Sequence, residues 1–215
     1  MQKPRVKICC ISSIEEMKLA VKYGASAIGL VAEMPSGPGV ISDELIEEIA
    51  TQTPPGISTF LLTSRQTVSG IIEHQKSCKT NTIQIVDHLI EGTHKELKKA
   101  LPGISIVQVI HVNDESSVHE AITVSESVDA ILLDSGNQKL DVKVLGGTGK
   151  THDWSLSKKI VESISKPVFL AGGLNPSNVR DAVETVKPFG IDLCSGVRTN
   201  GLLDDEKLRE FFERL

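Results

Sequence analysis

The sequence predicts an α/β protein folded as a single (β/α)8 TIM barrel over residues 1–215, and three observations predict it. Eight short apolar runs alternate with eight segments of helical periodicity, the pattern of a parallel sheet covered by helices. Eight such units in 215 residues suit a closed barrel of economical size. No G-x-G-x-x-G turn opens a helix, which disfavours the doubly wound open sheet.

The strands are expected at 5–9, 25–31, 57–62, 82–86, 104–110, 128–134, 167–171 and 191–194. The helices are expected at 13–23, 42–51, 65–78, 91–100, 114–126, 154–164, 176–187 and 204–214. Gly24 stops the first helix and Pro102–Gly103 stops the fourth. Ser42 reads as an N-cap, with Glu44, Glu47 and Glu48 making a solvated, dipole-favoured helix start. Asp153 reads as the N-cap of the helix that begins at Trp154. Between the sixth strand and that helix runs the longest connection, 135–152. Loops of this length inside compact domains are usually functional or disordered, and Gly146, Gly147 and Gly149 around Thr148 permit close backbone approach to a ligand. Gly147, Thr148 and Gly149 are therefore the candidate active-site loop.

Composition narrows the function classes. A hydrophobic content of 40% and a formal charge of −5 leave room for a sizeable core and argue against a nucleic-acid partner. No apolar run reaches the length of a membrane span, and the N-terminus enters a strand without a signal-peptide core. Cys9, Cys10, Cys78 and Cys194 show neither metal-type spacing nor a disulfide framework. A cytoplasmic protein that needs no metal or cofactor is the expectation, with a small molecule as partner, no membrane contact, and homodimerisation left open.

In a barrel of this kind the chemistry sits where strands end. The strand ends carry Cys9, the 34–40 loop, Gln84 to His88, His111, Asp134, Gly172–Gly173 and Cys194–Ser195–Gly196. Period-two alternation sets Lys7 and Cys9 on one face of the first strand and Val6, Ile8 and Cys10 on the other. Lys7 and Cys9 then point into the barrel, where a lysine needs a carboxylate to offset its desolvation; Asp192, on the last strand, has the right parity. Glycine-rich turns at Gly172, Gly173, Ser195 and Gly196 expose backbone N–H groups in adjacent loops, where barrels frequently bind phosphate.

Five segments together carry a family resemblance: Lys7–Ile8–Cys9, Leu132–Leu133–Asp134, Gly146–Gly147–Thr148–Gly149 with Asp153–Trp154, Gly172–Gly173–Leu174–Asn175–Pro176 with Asn178–Val179, and Asp192 with Cys194–Ser195–Gly196–Val197. In order and position they resemble phosphoribosylanthranilate isomerase of tryptophan biosynthesis. The resemblance implies an Amadori (aldose-ketose) rearrangement of a phosphorylated aminosugar without metal or cofactor. It implies Asp134 as the acid that opens the furanose ring and Cys9 as the base that removes the C2′ proton. It also implies Gln84 and Asp192 as substrate-binding residues, and Gly172, Gly173, Ser195 and Gly196 as the phosphate cradle. The chemistry asks for an acid raised by partial burial and a thiolate favoured by nearby positive charge or dipole, and Lys7 is placed to supply that charge if Asp192 does not already neutralise it.

Three positions depart from the family pattern. Cys10 stands where the family has glycine. Gly39 stands where it has the arginine that pairs with the anthranilate carboxylate. Val86 stands at its histidine position, with His88 further along and expected in an exposed loop. Arg65, Arg198 or Lys150 could replace the arginine, and restoring Arg at position 39 is expected to lower KM if the loop, whose backbone Pro38 restricts, can present the side chain. Two alternatives remain open: a related isomerase of a different phosphosugar, and a non-catalytic sugar-phosphate-binding barrel. A pure binding module needs neither Cys9 nor Asp134.

Overall fold

Apolar side chains alternate along the strands, and in three dimensions that alternation becomes two concentric shells. A computed structural model of the chain describes residues 3–135 and 152–215. Its strands are β1 (Arg5–Ile8), β2 (Ala27–Val31), β3 (Ser58–Thr63), β4 (Thr82–Ile85), β5 (Ser105–His111), β6 (Ala130–Asp134), β7 (Val168–Leu170) and β8 (Gly190–Leu193). They pair in parallel in sequence order, and β1 closes on β8 through Lys7↔Asp192 and Ile8↔Leu193. The expected (β/α)8 barrel is therefore the observed fold.

Outward-facing Ile8, Ile28, Leu61, Ile83, Ile131 and Ile191 join the helices in one buried cluster. Inward-facing Ala27, Phe60, Val107, Leu132 and Phe169 form a second cluster inside the barrel. Phe60 and Phe169 meet edge to face with centroids 5.8 Å apart, so side chains fill this interior and no channel runs through it.

The covering helices are α1 (Ile14–Tyr23), α2 (Asp43–Gln52), α3 (Val68–Cys78), α4 (His94–Ala100), α5 (Glu115–Ser125), α6 (Trp154–Ser163), α7 (Val179–Val186) and α8 (Asp205–Arg214). The expected caps are in place. Ser42 accepts a hydrogen bond from Leu45 N, Asp153 accepts from Ser155 N, and Gly24 ends α1 at φ +104°. α3, α4 and α7 begin about one turn later than periodicity suggests, because Thr67 and Thr93 cap α3 and α4 while Asn175 and Asn178 brace the turn before α7. A 3₁₀ turn (Ser195–Val197) and a small antiparallel pair, β9 (Arg198–Thr199) with β10 (Leu202–Leu203), precede α8. Periodicity misses elements this short. Among the described residues no helix is long and apolar enough to cross a membrane.

Candidate active site

The inward face of β1 builds the floor of the strand-end cavity. Lys7 is fully buried, and its Nζ lies 2.9 Å from Asp192 Oδ1 on β8, the partner expected from parity. Burial opposes the ammonium, but Asp192 and then Cys9 attract it, and the net shift is upward. Burial raises the Asp192 carboxyl against the pull of Lys7. The 2.9 Å contact and the charge on Lys7 favour an ion pair. Gly29 on β2 makes room for this arrangement, since a Cβ there would lie 2.7 Å from Cys9 Sγ and 2.9 Å from Lys7 Nζ. Lys7 and Cys9 are thus neighbours beneath the cavity.

Cys9 follows β1 directly and extends its ladder by one bond, from Cys9 N to Leu193 O at 2.7 Å. It lies inside the barrel and lines the cavity, as expected. Cys10 does not follow the expected parity. Its φ of +62° turns the chain, and its side chain lines the same cavity as Cys9. A strand's two-residue alternation ends where its extended backbone ends, and β1 ends at Ile8. Position 10 therefore has the backbone conformation that glycine adopts most readily. Cys10 and Cys194 both line the cavity and act on each other's thiols. The neighbouring Cys194 and Cys9 thiols, with burial, push Cys10 well above the usual range, while Cys10 lowers Cys194.

Asp134 ends β6, lines the cavity and is 9% exposed. Burial raises its carboxyl, opposed by a 2.7 Å hydrogen bond from Ser135 N and, more weakly, by Lys7. Gln84 on β4 is buried in the same wall, and its Oε1 has no hydrogen-bond partner among the described residues. A buried acceptor left unpaired is costly, and this one borders the cavity, where a ligand donor can reach it.

The opposite rim comes from the loops after β7 and β8. Gly172 and Gly173 have φ of +88° and +63°. Asn175 and Asn178 donate to Gly173 O at 3.2 and 3.0 Å, which fixes the turn. Gly172, Gly173 and Ser195 line the cavity. Gly196 sits behind them, where a Cβ would meet Leu174 O at 2.0 Å. The two glycine turns pack on each other through that contact. Gly147, Thr148 and Gly149 lie outside the described residues.

The 34–40 loop covers the mouth, with Met34, Ser36, Gly37 and Pro38 among the lining residues. Gly39 has φ +78°, and a Cβ there would lie 2.5 Å from Cys10 Cβ. Arginine at position 39 in this chain would collide with Cys10, so the single change does not meet the condition that the loop present the side chain. Arg198 is not free to replace it. Its guanidinium bonds Glu16 at 2.8 and 3.0 Å, Cys10 O at 2.6 Å and Cys9 O at 3.2 Å. It fastens the loop after β8 to the end of β1, a positioning part that the sequence did not reveal. Arg65 bonds Gly70 O and does not line the cavity; Lys150 lies outside the described residues. His88 is exposed, 3.6 Å from Glu120, and also stands away from the cavity. His111 is paired in register with Asp134, and its Nε2–H donates to Val86 O at 3.3 Å.

A closed (β/α)8 barrel with a thiol, a desolvated carboxyl and two glycine turns around one strand-end cavity has the layout of an enzyme of the sugar-phosphate barrel class. The chain belongs to the N-(5'-phosphoribosyl)anthranilate (PRA) isomerase family, whose model matches residues 6–214. It is 36% identical to N-(5'-phosphoribosyl)anthranilate isomerase 2 of Methanosarcina mazei, over 98% of this chain and 93% of that protein. It superposes on the phosphoribosyl anthranilate isomerase of Thermotoga maritima with a TM-score of 0.81 at 30% identity, covering 99% of this chain and 98% of that one. It also matches a phosphoribosyl anthranilate isomerase in complex with reduced 1-(o-carboxyphenylamino)-1-deoxyribulose 5-phosphate, with a TM-score of 0.78, 28% identity and coverage of 99% and 98%.

Proposed function

We propose that this barrel converts N-(5'-phosphoribosyl)anthranilate to 1-(o-carboxyphenylamino)-1-deoxyribulose 5-phosphate by an Amadori rearrangement, with Asp134 as acid and Cys9 as base. The observation that carries this reading is that both groups line one cavity, the carboxyl raised by burial and the thiol beside the Lys7 ammonium. Asp134, its carboxyl raised by burial, gives its proton to the furanose ring oxygen as the C1′–O bond breaks and leaves a Schiff base. Cys9, as the base, removes the C2′ proton. The electrons of that C–H bond move toward C1′ and nitrogen, giving an enolamine that tautomerises to the ketone. Positioned proton donors and acceptors of this kind contribute about 10²–10⁴-fold each.

Backbone N–H groups of the turns at Gly172, Gly173, Ser195 and Gly196 hold the phosphate, and Gln84 Oε1 accepts a hydrogen bond from the substrate. Asp192, which lines the same cavity, faces the substrate and fixes Lys7 beside Cys9. A second reading, isomerisation of a different phosphosugar, draws support from Gly39 and Cys10, which fill the place of the family's carboxylate-binding arginine. Turnover of phosphoribosylanthranilate, followed by loss of its fluorescence, decides between them. The proposal expects turnover with an elevated KM, and a folded protein inert at saturating substrate would favour the other phosphosugar.

A further inference from the structure

Outside the barrel, between α2 and α3, three side chains of metal-ligating type converge. Asp43 opens α2, while His74 and Cys78 lie one turn apart on α3, the i, i+4 spacing that sets two side chains on one helix face. One ligand atom from each lies within 4.8 Å of the other two. His74 is 4% exposed, Cys78 is fully buried, and the Asp43 side chain is 37% exposed. The cluster thus has a buried base and one edge open to water.

We infer that Asp43, His74 and Cys78 form a binding site for a divalent cation of the zinc type, which would staple α2 to α3. A thiolate, an imidazole and a carboxylate together suit zinc rather than magnesium or calcium, which take oxygen donors. Zinc bond lengths imply tetrahedral ligand–ligand edges of roughly 3.3–3.8 Å, so the observed spacing needs to tighten by about an ångström. His74 Nε2 already lies 3.1 Å from Asp43 Oδ1, and Nδ1 lies 3.0 Å from Thr63 Oγ1. When the ion binds, Nε2 turns its lone pair to the metal and Nδ1–H donates to Thr63, the outer hydrogen bond that metal-bound histidines usually keep. The Cys78 S–H bond breaks, its proton passes to water, and the sulfur–metal bond forms. Water fills the fourth position at the open edge. Burial, with Asp43, Glu47 and Glu44 against Arg65, pushes the Cys78 thiol up to about 12, so the ion has to displace a firmly held proton. None of the three residues lines the strand-end cavity, so the site is structural and independent of the isomerase reaction.

Cobalt(II) titration of the purified, metal-free chain tests this, with the thiolate-to-cobalt charge-transfer band as readout and zinc displacement as confirmation. One equivalent should produce the band, and zinc should raise Tm. Cys78→Ser should remove the band. Asp43→Asn, at the exposed edge where folding is least at risk, should weaken zinc binding by at least the roughly 10–100-fold that loss of a supporting contact costs. Both variants should keep isomerase activity. A wild type without the band overturns the inference. So does a band that survives Cys78→Ser, which would place the ion on the cavity cysteines, or zinc affinity unchanged in Asp43→Asn.

Discussion

Cys10 and Gly39 are sterically complementary: a Cβ on Gly39 would stand 2.5 Å from the Cβ of Cys10 and 3.0 Å from its Cα. Both residues have positive φ, +62° and +78°. Cys10 therefore occupies the space through which a side chain at position 39 would have to leave the backbone. The loop after β1 and the loop after β2 are one packing unit, and a change in either is felt in the other.

Gly39→Ala should accordingly destabilise the chain, by about 1–2 kcal/mol for the left-handed backbone and about 1–3 kcal/mol more for overpacking. The pair Cys10→Gly with Gly39→Ala should recover the overpacking part, read as non-additivity in denaturant unfolding. By the same geometry Gly39→Arg alone should not lower KM, whereas Cys10→Gly with Gly39→Arg should. A charge-assisted contact of about 1.5–3 kcal/mol corresponds to roughly ten- to a hundredfold in KM. Strict additivity in stability, or a KM already lowered by the single change, would contradict the coupling.

Asp134→Asn should abolish most activity and yet stabilise the fold. The Asp134 carboxyl is raised above its ordinary value by burial, so folding favours the protonated form. At pH below the ordinary carboxylate value both folded and unfolded states are protonated, and the variant gains nothing. As pH rises from there toward the raised folded value, the unfolded chain releases its proton more readily and the wild type loses stability. The Tm difference between Asp134→Asn and wild type should therefore open with rising pH. A difference that is flat or closes toward neutral pH would show that Asp134 is not desolvated.

Lys7 and Asp192 make the opposite experiment. Lys7→Met leaves a buried carboxylate without its partner and should cost about 3–5 kcal/mol. Lys7→Met with Asp192→Leu should restore much of that loss, because a buried ion pair often adds little beyond an apolar pair. Activity should not return in the double variant, since the cation beside Cys9 is gone. Recovery of kcat with stability would show that Lys7 serves packing alone.

Much of the barrel was legible because each strand reports its two faces in sequence. Lys7 and Asp192 were placed on the inward side by parity, Asp134 and Gln84 at strand ends, and all four are buried around the barrel interior. Cys10 was misread because parity assumes an extended backbone, and a φ of +62° in a non-glycine residue leaves no local sequence mark. The substitution of Cys10 at a family glycine position was the available signal, and the conformation there gives it meaning. Arg198 was invisible as a brace, because Glu16 and the carbonyls of Cys9 and Cys10 that it binds lie 182 or more positions away in the chain. His74 and Cys78 carry an i, i+4 spacing that a search for paired cysteines passes over, and their third partner sits on another helix.

The central claim is that Cys9 moves the substrate proton, and kcat of Cys9→Ser tests it most directly. Phosphoribosylanthranilate turnover should be measured beside the wild type at saturating substrate, with KM recorded separately. The expected result is a fall in kcat of about 10²-fold or more with KM little changed, since the phosphate turns and Gln84 are untouched. A Cys9→Ser enzyme that keeps kcat near the wild-type value would contradict the claim.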